Sequence, residues 1–176
     1  IMDLFENQKK LELEKTAPLA RRVRPLTINE FVGQDHIIGT ESPLRKAIES
    51  KQIPSIILWG PPGSGKTTLA NIISNAGSYH MESVSAVTSG VSELRNAIDK
   101  MEKHHSMMGE KPILFIDEIH RFNKTQQDVM LPHVENGSVV LIGATTENPA
   151  FSITSPLLSR SRTYILKKLQ AQDIRK

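Results

Sequence analysis

Four short apolar runs punctuate the chain, each bounded by polar or turn-forming residues: Ser55 to Trp59, Pro112 to Ile116, Ser138 to Gly143 and a weaker Thr163 to Leu166. Unbroken apolar runs of this length mark strands that are covered on both faces. Tyr79 to Val84 is a fifth candidate. Between the runs, apolar positions recur at helical spacing. Leu44 to Ser50 carries Leu44, Ala47 and Ile48 on one face, with Ser42 placed to cap it and Pro43 at its first position. Lys66 to Ala76 stops at Gly77, Val91 to His104 follows, and Lys124 to Glu135 ends in Asn136-Gly137, a C-cap pair. Strand and helix alternating in this way predict an α/β fold of three layers, a parallel sheet with helices on both faces, which binds ligands at the carboxyl ends of its strands. The chain shows no internal repeat and no low-complexity tract.

Composition narrows the class. A length of 176 residues suits one domain with an appendage. The apolar runs fall far short of the ~18 residues that span a bilayer, so no helix is expected in lipid. The absence of cysteine excludes disulfides and thiolate zinc sites, and Met2 is followed by no secretory apolar segment, so the cytoplasm is the expected location. A net charge of +3 permits contact with nucleic acid without arguing for it. Residues 1–24 read as a charged arm or short helix, with Lys9, Lys10, Lys15, Arg21, Arg22 and Arg24 among few apolar anchors. Ile1 ahead of Met2 reads as a scar, and the polar stretch 170–176 reads as the start of a region that continues, so a fragment is expected.

Chemistry enters directly after the first strand. Gly60-Pro61-Pro62-Gly63-Ser64-Gly65-Lys66-Thr67 satisfies the phosphate-loop pattern G-x-x-x-x-G-K-[ST] in full. A glycine-rich turn lets backbone N–H groups approach polyphosphate oxygens, while the helix behind it presents its positive end. Lys66 is placed to reach the β and γ phosphates and the Thr67 hydroxyl to bind Mg²⁺, with Thr68 completing the nucleotide-binding stretch.

A second strand, Ile113 to Ile116, ends in Asp117-Glu118. On the strand adjacent to the phosphate loop, Asp117 would act on the metal and its waters, and Glu118 would take a proton from the attacking water. Asp117 could equally cap the helix that follows. Val139 to Ala144 ends in Thr145-Thr146-Glu147-Asn148, polar groups positioned to sense a γ phosphate, or simply a turn. Arg160 and Arg162 close an apolar helical segment at Leu157-Leu158. They can cap its carbonyls, or in a ring one of them can reach a neighbour's γ phosphate as an arginine finger.

Together these residues resemble the P-loop ATPase core of AAA+ proteins, and within that class the replication-associated recombination protein A family (RarA, MgsA, and the Werner helicase-interacting proteins of eukaryotes), in the clamp-loader clade. The likeness runs from about Pro18 to Leu169. It rests on Phe31-Val32-Gly33-Gln34, Leu58-Trp59-Gly60-Pro61-Pro62-Gly63, Ser85-Ala86-Val87-Thr88-Ser89-Gly90, Asp117-Glu118-Ile119-His120-Arg121-Phe122-Asn123-Lys124 and Gly143-Ala144-Thr145-Thr146-Glu147-Asn148-Pro149.

The resemblance implies an ATPase core over residues 25–169, with a helical lid to follow it that this chain lacks. It implies a DNA-dependent, ATP- and Mg²⁺-using enzyme that forms a ring-like homo-oligomer. Such an enzyme acts on single-stranded ends or stalled forks, beside single-strand binding protein and associated with the nucleoid. By position it makes Lys66 and Thr67 the Walker A residues and Asp117 and Glu118 the Walker B residues. Thr146 falls at sensor 1 with Asn148 as its rival, and Arg160 becomes the finger. Val32 and Gly33, with Ile37, would lie against the adenine.

Met2-Asp3-Leu4-Phe5 resembles the end of a sliding-clamp docking peptide, or anchors on the domain's own surface. Two other readings stay open. One is a nucleotide-gated binding module with little hydrolysis. The other is a helicase fragment, suggested by Asp117-Glu118-Ile119-His120 but compact for two lobes.

Overall fold

The computed structural model describes residues 24–77 and 79–174. The expected arm and the clamp-like Leu4-Phe5 therefore lie outside the described residues. Five strands form one parallel sheet: β1 Ile56–Trp59, β2 His80–Ser85, β3 Pro112–Asp117, β4 Val140–Thr145 and β5 Arg162–Ile165, in the order β2-β3-β4-β1-β5. The helices are α1 Asp35–Ile38, α2 Pro43–Glu49, α3 Lys66–Gly77, α4 Val91–Met108, α5 Lys124–Glu135, α6 Pro149–Ser152, α7 Ser155–Ser159 and α8 Ala171–Ile174. None of them is long and apolar enough to cross a membrane.

Period-two alternation along the strands splits the core into two layers. Ile56, Leu58, Ile113, Phe115, Ile142 and Ala144 face one side, where they pack with Leu44 and Ile48 of α2 and Leu69, Ile72 and Ile73 of α3. Ile57, Leu114, Ile116 and Leu141 face the other, against Leu94, Ile98 and Met101 of α4, Met130 of α5 and Leu157 of α7. Both faces are covered, as the unbroken apolar runs require.

Local signals set most helix ends. Ser42 Oγ accepts the Arg45 N–H at 3.2 Å to start α2. Asn123 and Gln126 exchange side-chain-to-backbone bonds at 2.9 Å, a capping box that starts α5. α4 runs a turn past the expected His104, to Met108, and stops where Gly109 turns left-handed at φ +72°. β4 starts and ends two residues later than the pattern predicts, because Val139 lies outside the ladder and Thr145, fully buried, completes it against Trp59.

One expectation about placement is corrected. β3, which carries Asp117, is not adjacent to β1; β4 pairs with both and separates them. The acidic strand end therefore stands two strand spacings from the phosphate loop, roughly 10 Å.

Away from that end, Glu102 of α4 accepts from His133 Nδ1 at 2.7 Å and Ser138 Oγ at 2.9 Å. The His133 bond, then the Ser138 bond, holds the Glu102 carboxyl below its ordinary value. A carboxylate with a lowered folded-state value stabilises the fold above its unfolded value and loses that contribution as the pH falls through the folded one. Glu102→Gln is expected to lower stability at pH 7 by about 1 kcal/mol or less, since the pair is partly exposed. Thermal unfolding checks this: the gap between parent and variant should close as the pH drops below ~4.

Candidate active site

β1 delivers the chain into the phosphate loop at Gly60, whose N–H donates to Thr145 O on β4 at 3.1 Å. Gly65 sits at φ +95°, and a Cβ there would lie 2.8 Å from Phe31 Cζ, so the turn needs glycine both for its backbone and for the ring packed on it. Pro61, Pro62, Gly63 and Thr67 are exposed, Thr68 is half-buried and Ser64 is buried. Lys66, 8% exposed, donates from Nζ to Gly60 O at 2.7 Å and Pro61 O at 3.0 Å. Burial pulls the Lys66 ammonium below its ordinary value, and the charges of Glu118 and then Asp117 pull it back up. The charges of both carboxylates thus reach Lys66 across the intervening strand.

Asp117 closes β3 and is half-buried, so the helix-cap alternative finds no support: the short 3-10 turn Ile119–Arg121 is preceded by Glu118, whose side chain makes no cap bond. Glu118 itself is left-handed, φ 54° and ψ 46°. Non-glycine residues in that region cost of order 1–3 kcal/mol and gather at functional sites. Its Oε2 accepts from Thr146 Oγ1 at 3.3 Å. Asn148 faces a different task, because its Oδ1 accepts the Ala150 N–H at 3.0 Å and caps α6. Of the two sensor candidates, Thr146 is the one in contact with Glu118.

The adenine residues divide. Gly33, at φ +77°, is pressed so closely on the chain after β5 that a Cβ would lie 2.6 Å from Leu169 Cδ2. Val32 is half-buried beside it, whereas Ile37 is 6% exposed and packed into the core cluster of Phe31 and Ile38, which leaves it little surface for a base. Arg160, just past α7, pairs through Nε with Glu135 Oε1 at 2.7 Å and donates from its guanidinium to Ser159 Oγ at 2.7 Å. A carboxylate, not a helix carbonyl, holds it. Register places it far from its own phosphate loop. Arg162 lies opposite Ile56, at the amino end of β1, while Gly60 follows Trp59 at the carboxyl end; the intervening strand length is about 13 Å.

Three further side chains make contacts around the site that no linear reading supplies. Gln34, fully buried, donates to Lys167 O at 2.7 Å and Ser64 O at 3.3 Å and accepts the Lys167 N–H at 3.0 Å, which fastens the phosphate loop to the segment leaving β5. Gln127 of α5 donates to Phe122 O at 2.9 Å and Ser152 O at 3.0 Å and accepts the Thr154 N–H at 2.8 Å, which fixes the corner leading to Arg160. His120 contacts Glu118 and Thr145. The pairing of Val-Gly with Gln34 and the Asp-Glu-Ile-His run are visible in the sequence; the partners of Gln127 are not.

For a magnesium ion, the donors at hand are the Thr67 hydroxyl and the Asp117 carboxylate, hard oxygens of the type that ion takes. Both are at least partly open to solvent at the same end of the sheet, so the residues fit the group.

Comparison with known proteins identifies the family. The model of the ATPase family associated with various cellular activities (AAA) matches residues 56–169. Replication-associated recombination protein A of Coxiella burnetii is 54% identical over 157 residues, which cover 89% of this chain and 35% of that protein. ATPase WRNIP1 of Dictyostelium discoideum is 46% identical over 158 residues, 90% of this chain and 18% of that protein. Among solved structures, the RuvB Holliday junction branch migration motor of Thermotoga maritima superposes with a TM-score of 0.69 at 29% identity, covering 86% of this chain and 51% of that one. The chain thus spans about a third of the length of the first of these relatives. On its family match and this likeness, the chain belongs to the AAA ATPase family, on the branch that holds replication-associated recombination protein A and WRNIP1.

Proposed function

We propose that this chain is the ATP-hydrolysing core of a DNA-dependent ATPase that works as a ring-like homo-oligomer on single-stranded ends or stalled forks during replication and recombination. The observation that carries the reading is the convergence of the phosphate loop, Asp117-Glu118 and Thr146 at the carboxyl end of one sheet, within reach of a shared charge on Lys66. Backbone N–H groups of Gly63 to Lys66 cradle the phosphates, and Lys66 exchanges its loop carbonyls for phosphate oxygens. Thr67 and Asp117 would hold Mg²⁺, which when bound neutralises charge on the phosphates. Glu118 orients a water for in-line attack on the γ phosphorus and takes its proton; the P–O bond to ADP breaks, and phosphate and ADP leave. Thr146, which donates to Glu118, would sense the γ phosphate, and Val32 and Gly33 would border the base.

Arg160 supplies the finger in trans. The register argument supports this, because a strand's length separates it from the loop of its own subunit. It also favours a second reading for the chain in isolation, a nucleotide-gated binding module that turns over slowly until a neighbour completes the site. Steady-state ATP turnover with and without single-stranded DNA ends separates the two. Single-strand binding protein is the partner we assign to the whole protein in the cytoplasm, and residues 2–5 serve either as an anchor on the domain's own surface or as a docking peptide for the sliding clamp.

Lys66→Ala tests the site most directly. Removing a charge that pairs with phosphate costs several kcal/mol, so nucleotide affinity is expected to fall on the order of 10²-fold. Titration with a fluorescent ATP analogue measures this, and unchanged affinity would overturn the site.

A further inference from the structure

His120 makes contacts that the hydrolysis scheme leaves unused. Its side chain is 8% exposed, in the 3-10 turn that left-handed Glu118 begins. Nδ1 lies 3.2 Å from Glu118 Oε2 and 3.1 Å from Thr145 Oγ1, while Nε2 faces Glu147 Oε1 at 3.7 Å, beyond direct hydrogen-bond reach.

The proton on this ring follows from its partners. Thr145 has one hydroxyl hydrogen, which donates to Glu147 O at 3.2 Å, and its oxygen already accepts the Glu147 N–H at 3.0 Å. Toward His120 it is left as an acceptor, and an ionised Glu118 is acceptor-only. Nδ1 therefore carries a hydrogen, which donates to Thr145 Oγ1, while Glu118 Oε2 stands 3.2 Å from the same ring atom as a polar contact. Thr146 donates to the same oxygen of Glu118, Oε2. One donor and the polar edge of the imidazole thus crowd Oε2, and Oε1 has no donor among the described residues.

We propose that His120 is the positioning residue of the catalytic carboxylate: anchored through Nδ1 to Thr145 Oγ1, its ring edge rests 3.2 Å from Glu118 Oε2 and, with the Thr146 donor on that oxygen, leaves Oε1 to the attacking water. Thr145 ties that orientation to the end of β4. The inference rests on Glu118 being the general base. It differs from a packing role in depending on one ring atom. An asparagine amide falls near the position of Nδ1, a glutamine amide near that of Nε2.

The test compares His120→Ala, His120→Asn and His120→Gln in the full-length, assembled protein by steady-state ATP turnover, with fluorescent-nucleotide titration for binding. Misplacing a reacting group by about 1 Å can cost 10²-fold, so the Ala and Gln variants should lose roughly tenfold or more in kcat with nucleotide affinity unchanged, while Asn keeps most of the parental rate. Turnover of His120→Ala at or above the parental rate overturns the proposal, and so does an equal loss in Asn and Gln, which would indicate packing. If His120→Ala does not fold, the Asn and Gln pair decides alone. Glu118→Gln run in parallel separates the two failures. Parental turnover there removes the general base itself, whereas an inactive Glu118→Gln beside an unaffected His120→Ala removes only the positioning role.

Discussion

Arg160→Ala is expected to lower ATP turnover of the assembled protein on the order of 10³-fold or more, the usual cost of losing an arginine finger, while nucleotide binding is unchanged. The side chain is well placed to leave its present partner. Its pair with Glu135 is half-exposed on both sides, 46% and 41%, and such pairs contribute about 1 kcal/mol or less. In the proposed ring, a neighbour's γ phosphate would displace that partner. Mixing Arg160→Ala with Lys66→Ala gives the decisive measurement. Each is inactive alone, yet some mixed interfaces join an intact Arg160 to an intact Lys66, so partial activity should return. A mixture as inactive as its components, with subunit exchange verified, would place Arg160 in its own subunit's chemistry or in none.

Glu118→Gln is expected to abolish hydrolysis and keep ATP bound, since the amide fills the same space and cannot accept a proton. General-base loss typically costs 10²–10⁴-fold. Two structural details sharpen the expectation. The backbone at Glu118 is already left-handed, so the substitution changes no strain, and Thr146 Oγ1 can donate to the amide oxygen as it does to Oε2. Single-turnover kinetics with retained ATP distinguishes this from failure to bind; a parental rate would show that Glu118 is not the base.

Much of this site is local, and what is local is legible along the chain. The phosphate loop is one contiguous run whose chemistry depends on its own backbone, and the capping chemistry of Ser42, Asn123 and Gly109 acts within a few residues. The two-layer core is legible too, because both-face burial leaves strands with no polar alternation. What escaped depends on order in the sheet. Nothing between Ile113 and Asp117 announces that β4 inserts beside β1, so the acidic pair is one strand farther from the loop than its motif suggests. Ile37 looks like an adenine contact by position but is consumed by the core. Gln34 and Gln127 are single polar residues whose meaning lies in partners distant in sequence, Lys167 in one case and Ser152 and Thr154 in the other.

The strand order also sets a timetable for the protein's birth. β1, which feeds the phosphate loop, pairs on one side with β4 and on the other with β5, so Ile56 meets Ile142 and Arg162. When β1 emerges during synthesis neither neighbour exists, and at roughly 5–20 residues per second several seconds pass before both are available. β2, β3 and the helices between them can collapse in that interval, yet the strand that holds the nucleotide stays an unpaired apolar edge until nearly the whole domain has been made. Nucleotide binding is therefore a late event in maturation, and a nascent chain halted before β5 would expose an edge of the apolar segment Ile56–Trp59 to chaperones or to aggregation.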